Sequence, residues 1–181
     1  MRTENGLSGM AQTDLDMEQV NARAEAMRRD PAEGRKTLSG ITSWNGGAHS
    51  TTIVRSFAIP ADEPVAMGGT NRGPSPMELV LTALSACITI SIAYSAAEEG
   101  VEVDFIEIDV KGDIDLRGLF GIADDVRPGF EKVLVTVRIE ADAPRDRLQK
   151  LVMRGYRRSP VADSLMGKVP VRICLVHEEG A

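Results

Sequence analysis

The sequence predicts an α+β fold in which a largely antiparallel, curved sheet wraps one long central helix. Three observations carry that prediction. Residues 77–97 contain no Gly and no Pro, and no charge falls between Glu78 and Glu98. β-prone runs stand on both sides of that stretch, at 37–59 before it and at 101–116 and 132–140 after it. The order strand, strand, long helix, strand, strand, helix, short helix, strand segregates the two kinds of element.

The bulk properties bound the function. With 181 residues, 43% hydrophobic and 27% charged, the chain fits one globular domain with a real core. A net charge of −6 gives no support to nucleic-acid binding or to an anionic membrane surface. The helix at 76–97 is long enough to span a bilayer. Its Ala, Ser and Thr content and the lack of a second such segment argue for a buried core helix instead. Residues 1–10 are polar with no secretory pattern, and the two Cys show no pairing pattern, so a reducing cytoplasm is expected. Two His and no Cys/His cluster predict no metal site, and nothing predicts a cofactor.

In chain order, residues 1–12 are expected to be loosely attached. A helix is expected over 14–29, capped near Thr13 or Asp14 and ended before Pro31, with a weak apolar stripe of Leu15, Met17, Val20, Ala24 and Met27. It reads as an appendage. Thr37–Trp44 and Ser50–Ile59 read as strands around Asn45-Gly46, a strong hairpin signal. A short third strand is expected at Val65–Met67. Asn71-Arg72-Gly73-Pro74 is loop, and Ser75 followed by Pro76 reads as a helix cap and first helical residue. Glu78 suits the positive end of the helix dipole, and Gly100 ends the helix. About 20 residues at ~1.5 Å each make it roughly 30 Å long.

Val101–Leu116 alternates but changes phase between Phe105 and Ile106, which predicts a bulge. Arg117–Gly129 is loop, carrying the large apolar pair Leu119 and Phe120. Lys132–Glu140 alternates cleanly as a strand. A helix over 145–156 buries Leu148, Leu151, Val152 and Gly155. Ser159 caps a short helix at 161–166, and Val169–Val176 is the last strand. One sheet cannot cover a helix that is apolar or small nearly all round, so a second copy of the chain is expected to cover the rest.

The residues that could do chemistry each have a plainer reading. Cys87, at the middle of the central helix, can be a small core hydrophobe. Mid-helix placement gives it none of the dipole help that a helix N-terminus offers a thiolate. Cys174 between Ile173 and Leu175 reads as core. Glu78 is half a turn out of phase with Cys87, whereas Met77 is closer in phase. Arg72 lies in the lead-in loop, where it is either solvated or reaches over the helix. Arg157 and Arg158 read as solvated, and His49 and His177 have no visible partners.

Gly73-Pro74-Ser75-Pro76-Met77-Glu78-Leu79 followed by Ala83-Leu84-Ser85-Ala86-Cys87 resembles the OsmC/Ohr superfamily of osmotically inducible and organic hydroperoxide resistance proteins. The likeness continues through Gly112–Gly118, Val126–Phe130 and Arg158–Leu165, within residues 36–176. It implies an intertwined homodimer with active sites at the subunit interface and a peroxidatic Cys on the central helix, here Cys87. It also implies reduction of organic hydroperoxides at the expense of a thiol, with no cofactor. Three positions depart from the family pattern. Ser159 stands where a resolving Cys is usual. Met77 stands where the family's Glu follows the helix-start Pro, with Glu78 beside it. Ala48 stands where the family's catalytic Arg follows a Gly-Gly on the first hairpin.

The expected organisation is therefore a 1–35 extension with one helix, a 36–176 OsmC-like domain and a 177–181 tail. The expected function is thiol-dependent hydroperoxide reduction through Cys87, with Arg72 as the replacement cation. The expected partners are a second copy of the chain, a small hydroperoxide and a thiol reductant, with no nucleic acid and no membrane. The alternative is a dimer of the same fold that binds a small apolar ligand, with Cys87 only a pocket wall.

Overall fold

A computed structural model describes residues 15–167 and 169–176. The fold is α+β, and every strand pairing is antiparallel. Its five helices are α1 (Met17–Arg29), α2 (Pro76–Glu98), α3 (Leu116–Leu119), α4 (Arg145–Arg157) and α5 (Pro160–Met166). Its five strands are β1 (Ile41–Trp44), β2 (Ser50–Val54), β3 (Phe57–Ala61), β4 (Val103–Asp113) and β5 (Lys132–Ala141). They form two separate sheets, β1-β2-β3 and β4-β5.

The central helix forms for the reasons its sequence gives. Ser75 Oγ accepts from Glu78 N, and the Glu78 carboxylate accepts from Ser75 N at 2.7 Å, a complete capping box. Pro76 opens the first turn, where a missing N–H costs nothing. The helix's hydroxyls bond to its own backbone: Thr82, Thr89 and Ser95 donate to the carbonyls of Glu78, Ser85 and Ser91 at 2.8–2.9 Å. Buried polar side chains therefore cost little on this helix.

One side of α2 is buried. Leu84, Ile88 and Ile92 meet Ala162 of α5 and the inward residues of β4 and β5, among them Ile106, Ile108, Val135 and Val137. Ala96 packs with Val101 and Leu151 of α4. The α2–α4 crossing is close because residue 155 is Gly: a Cβ there would lie 2.5 Å from Ile92 Cγ1 and 2.7 Å from its backbone N. Glu98 and Glu99 anchor the same end through ion pairs to Arg154, and Glu98 also pairs with Arg158. The opposite side of α2, with Ala83, Ala86, Ile90 and Tyr94, is exposed. By length and composition alone α2 could cross a membrane, but its other side is committed to this core.

The β1–β3 sheet stands apart. No helix packs extensively on it among the described residues, and of its strand residues only Ala61 is buried. Pro60 lies on β3, an edge strand, where the missing N–H removes no ladder bond from a central position.

Several expectations need correction. The run 50–59 is not one strand: Arg55 adopts φ 56° and turns the chain into the β2–β3 hairpin. No Gly or Asn advertised that turn. Val65–Met67 is a 3₁₀ turn between Pro64 and Gly68, which takes the left-handed conformation at φ 83°. Val169–Val176 forms no strand, and its apolar side chains are bare, with Ile173 93% exposed. A strand needs a neighbouring edge, and this segment pairs with none among the described residues. Cys174 is accordingly exposed and not core.

Other expectations match. The register shift in β4 falls between Val103 and Phe105, beside the phase change read from the sequence. Ser159 caps α5, its Oγ accepting from Ala162 N at 3.2 Å. Helix α1 is present and ends at Arg29 as expected, but it begins at Met17 with Asp16 as its cap, later than the expected start at residue 14; it packs on the 3₁₀ turn Pro31–Gly34. Thr13, Asp14, residues 1–12, His177 and the 177–181 tail lie outside the described residues.

Candidate functional site

Cys87 sits halfway along α2 and is half-buried. Three residues separate it from Leu84, so the two directions differ by about 60° around the helix. It therefore stands at the border of the buried side, only about 20° around the helix from exposed Tyr94. The buried side carries a cavity of about 570 Å³. Met77, Val80 and Leu84 of α2 form one wall, Val133 and Val135 of β5 a second, and Ala162, Leu165 and Met166 of α5 a third. Tyr156 closes the α4 end and donates its hydroxyl to Met166 Sδ at 2.8 Å. Arg127, Glu131 and Lys132 add the only charges to an otherwise apolar lining. Lys132 is engaged with Asp113 at 2.9 Å, which raises its pKa above the usual lysine value. Cys87 is not among the residues that line the cavity.

The candidate residues fall into two groups. Met77 lines the cavity with Leu84, ten and three residues before Cys87 on neighbouring sides of one helix. Ser159 is 1% exposed and lies at the α4–α5 junction, where Ala162, three residues on, packs against Leu84 and Ile88. Ser159 thus stands at the start of α5, which lines the cavity through Ala162, Leu165 and Met166. Glu78 and Arg72 belong to the start of α2. Glu78 is exposed, and its carboxylate is held below the ordinary value by the Ser75 backbone N–H and then the Ser75 hydroxyl. That role occupies it in capping. Pro76 precedes Cys87 by eleven residues, about 16 Å along the axis, and Arg72 lies in the loop before Pro76. Among the described residues no ion pair holds the Arg72 guanidinium.

Residues 69–173, well over half the chain, match the family described as OsmC-like protein. The chain belongs to that family. Its fold agrees. An OsmC-like protein from Mycoplasma pneumoniae superposes with TM-score 0.64 at 20% identity, covering 78% of this chain and 99% of its own. An OsmC-like protein of unknown function from Vibrio cholerae gives 0.61 at 15% identity, over 72% and 94%. An organic hydroperoxide resistance protein OsmC from Legionella pneumophila gives 0.54 at 15% identity, over 74% and 93%. At these identities the likeness is one of fold. No functionally curated protein matches the sequence.

Sequence reasoning missed the residue that organises the start of α2. Asp62, directly after β3, is 1% exposed, and its carboxylate accepts four hydrogen bonds. Oδ1 takes Glu63 N at 2.8 Å; Oδ2 takes Thr70 Oγ1 at 2.6 Å and the backbone N–H groups of Thr70 and Arg72, each at 3.1 Å. The Thr70 hydroxyl is the main cause that holds its pKa at about 2, against an ordinary 3.8. The only sequence signal was an Asp before Glu-Pro after a β-prone run, which reads as an ordinary turn residue.

Among the described residues no cluster of three or more His, Cys, Asp or Glu is arranged to hold a metal ion.

Proposed function

We propose that the protein is a thiol-dependent reductase of organic hydroperoxides that works through Cys87 as its single nucleophile, in a homodimer. One observation carries the reading: a half-buried thiol at the middle of the central helix, three positions from Leu84 of an apolar cavity, in a chain of the OsmC-like family. In the first step the Cys87 thiolate attacks one peroxide oxygen. The O–O bond breaks, the alcohol leaves with a proton, and Cys87 becomes a sulfenic acid. With Ser159 at the family's resolving position, an external dithiol completes the cycle. Its first thiol displaces water from the sulfenic acid to give a mixed disulfide. Its second thiol attacks that disulfide, releasing the Cys87 thiolate and a closed disulfide. An ordinary thiol is only a few per cent thiolate at neutral pH, so turnover without an activating partner is slow.

Three exposed apolar surfaces support the dimer. They are the β1–β3 sheet, the Ala83–Tyr94 side of α2, and residues 169–176. Exposure on this scale is unusual for a monomer. In this reading Arg72 supplies the cation that stabilises the Cys87 thiolate. Arg72→Ala should then slow Cys87 oxidation with the fold intact.

The second reading keeps the fold and drops the chemistry: the cavity takes a small apolar ligand. The apolar lining favours it. Consumption of cumene hydroperoxide with a lipoyl-type dithiol as donor separates the two. Wild type and Cys174→Ser should turn over, and Cys87→Ser should not. An inactive wild type would leave the ligand-binding dimer as the better account.

A further inference from the structure

We propose that Asp62 is a positioning residue, the lock that fixes the angle at which the β1–β3 arm leaves α2, and that this lock presents the arm to a second copy of the chain. The inference rests on the dimer reading given above.

Among the described residues the arm makes no extensive contact with any helix, so its direction is set where it joins the body, at residues 61–75. That junction is unusually closed. Asp62 N donates to Pro74 O at 3.3 Å, tying the end of β3 to the residue before the α2 cap. Asn71 N donates to Glu63 O at 3.2 Å, and Gly69 N to Pro64 O at 3.2 Å. Gly73 lies so close to β3 that a Cβ would stand 2.8 Å from Pro60 O.

At the centre sits the Asp62 carboxylate. Thr70 and Arg72 aim their N–H groups at one oxygen because Asn71, between them, takes the left-handed conformation at φ 57°. Successive N–H groups in such a turn form an anion-binding concavity. Here the anion is supplied by the chain itself. No ion pair reaches Asp62 among the described residues, so its charge is held by hydrogen-bond donors alone. An amide at this position could not reproduce the arrangement. It has one acceptor oxygen, and its NH₂ would face donors.

A fixed junction matters because of what a loose one permits. A tethered apolar sheet meets its own helix at a high effective concentration. Flexibility would let it fold back or sample many angles, and dimer formation would then carry the cost of ordering it. A preset angle removes that cost from association.

The test uses the full chain with Asp62→Asn and, separately, Thr70→Val, which deletes only the 2.6 Å hydroxyl bond. Sedimentation across a concentration series gives the dimer dissociation constant, and hydrogen exchange reports the Thr70 and Arg72 amides. For Asp62→Asn we expect lost protection at those two amides, retained protection along α2, and a dissociation constant weakened about tenfold or more. Thr70→Val should move the constant the same way by less. An Asp62→Asn protein that dimerises like wild type would overturn the lock and leave the dimer reading standing. A uniform loss of stability with an unchanged dissociation constant would do the same. If Asp62→Asn does not fold, an unchanged constant in Thr70→Val overturns it. A monomeric wild type would overturn both the lock and the dimer.

Discussion

Replacing Gly155 with Ala sets two effects of opposite sign against each other at the α2–α4 crossing. Gly155 is interior to α4, so Ala should gain roughly 1 kcal/mol of helix propensity. Against this, the new methyl would stand 2.5 Å from Ile92 Cγ1, 2.7 Å from Ile92 N and 2.8 Å from Ile92 Cα. Rotating Ile92 relieves only the first contact; the other two are backbone of the central helix. Helix α4 would have to retreat by several tenths of an ångström. The retreat would loosen Leu151, which is fully buried against Ala96 and Val101. Overpacking of this kind costs about 1–3 kcal/mol, with backbone contacts toward the upper end. The clash should win, leaving a net loss of about 1–2 kcal/mol. Urea unfolding at one fixed protein concentration measures it. With a slope of about 2 kcal/mol per molar, the midpoint should fall by roughly 0.5–1 M. An unchanged or raised midpoint would mean that the crossing is looser than this packing and would refute the reasoning.

Three further outcomes are expected. Ser159→Ala removes the α5 cap and should cost about 0.5–2 kcal/mol in the same unfolding assay, with no effect on hydroperoxide consumption. Ser159→Cys should form a disulfide with oxidised Cys87, read by non-reducing peptide mapping after mild peroxide; its absence while Cys87 is oxidised would contradict the shared placement of the two positions. Asp62 has a folded pKa of about 2 against an ordinary 3.8, so its contribution is present above about pH 4 and is lost as pH falls toward 2. The acid unfolding profile of Asp62→Asn should lack that component, and a profile identical in shape to wild type would contradict it.

Much of the fold was legible because its signals are local. Ser75-Pro76 with Glu78 specifies the start of α2 without reference to the rest of the chain, and the capping box is there. The alternation of Val135, Val137 and Ile139 against Val110, Ile108 and Ile106 needs only a neighbouring strand, which β4 supplies. The failures were of another kind. Residues 169–176 alternate as a strand should, yet no edge among the described residues receives them, and Cys174 is exposed with them. Arg55 turns the chain in a conformation that its side chain gives no reason to expect. Asp62 acts through Thr70 and Arg72, eight and ten residues away, and a bond set by loop closure leaves no periodic trace in sequence. In the candidate site, Cys87 was legible from its place on α2. The cavity beside it was not, because α4, α5 and β5 build it jointly from well-separated segments.

The account stands most directly on the reactivity of Cys87. The purified protein, treated with substoichiometric cumene hydroperoxide in the presence of a sulfenic-acid trap, can be digested and read by mass spectrometry at both cysteines. The account predicts trapped sulfenic acid at Cys87, little at Cys174 despite its exposure within one chain, and a mixed disulfide at Cys87 when a thiol replaces the trap. Preferential modification of Cys174, or neither cysteine modified while the hydroperoxide persists, would contradict it.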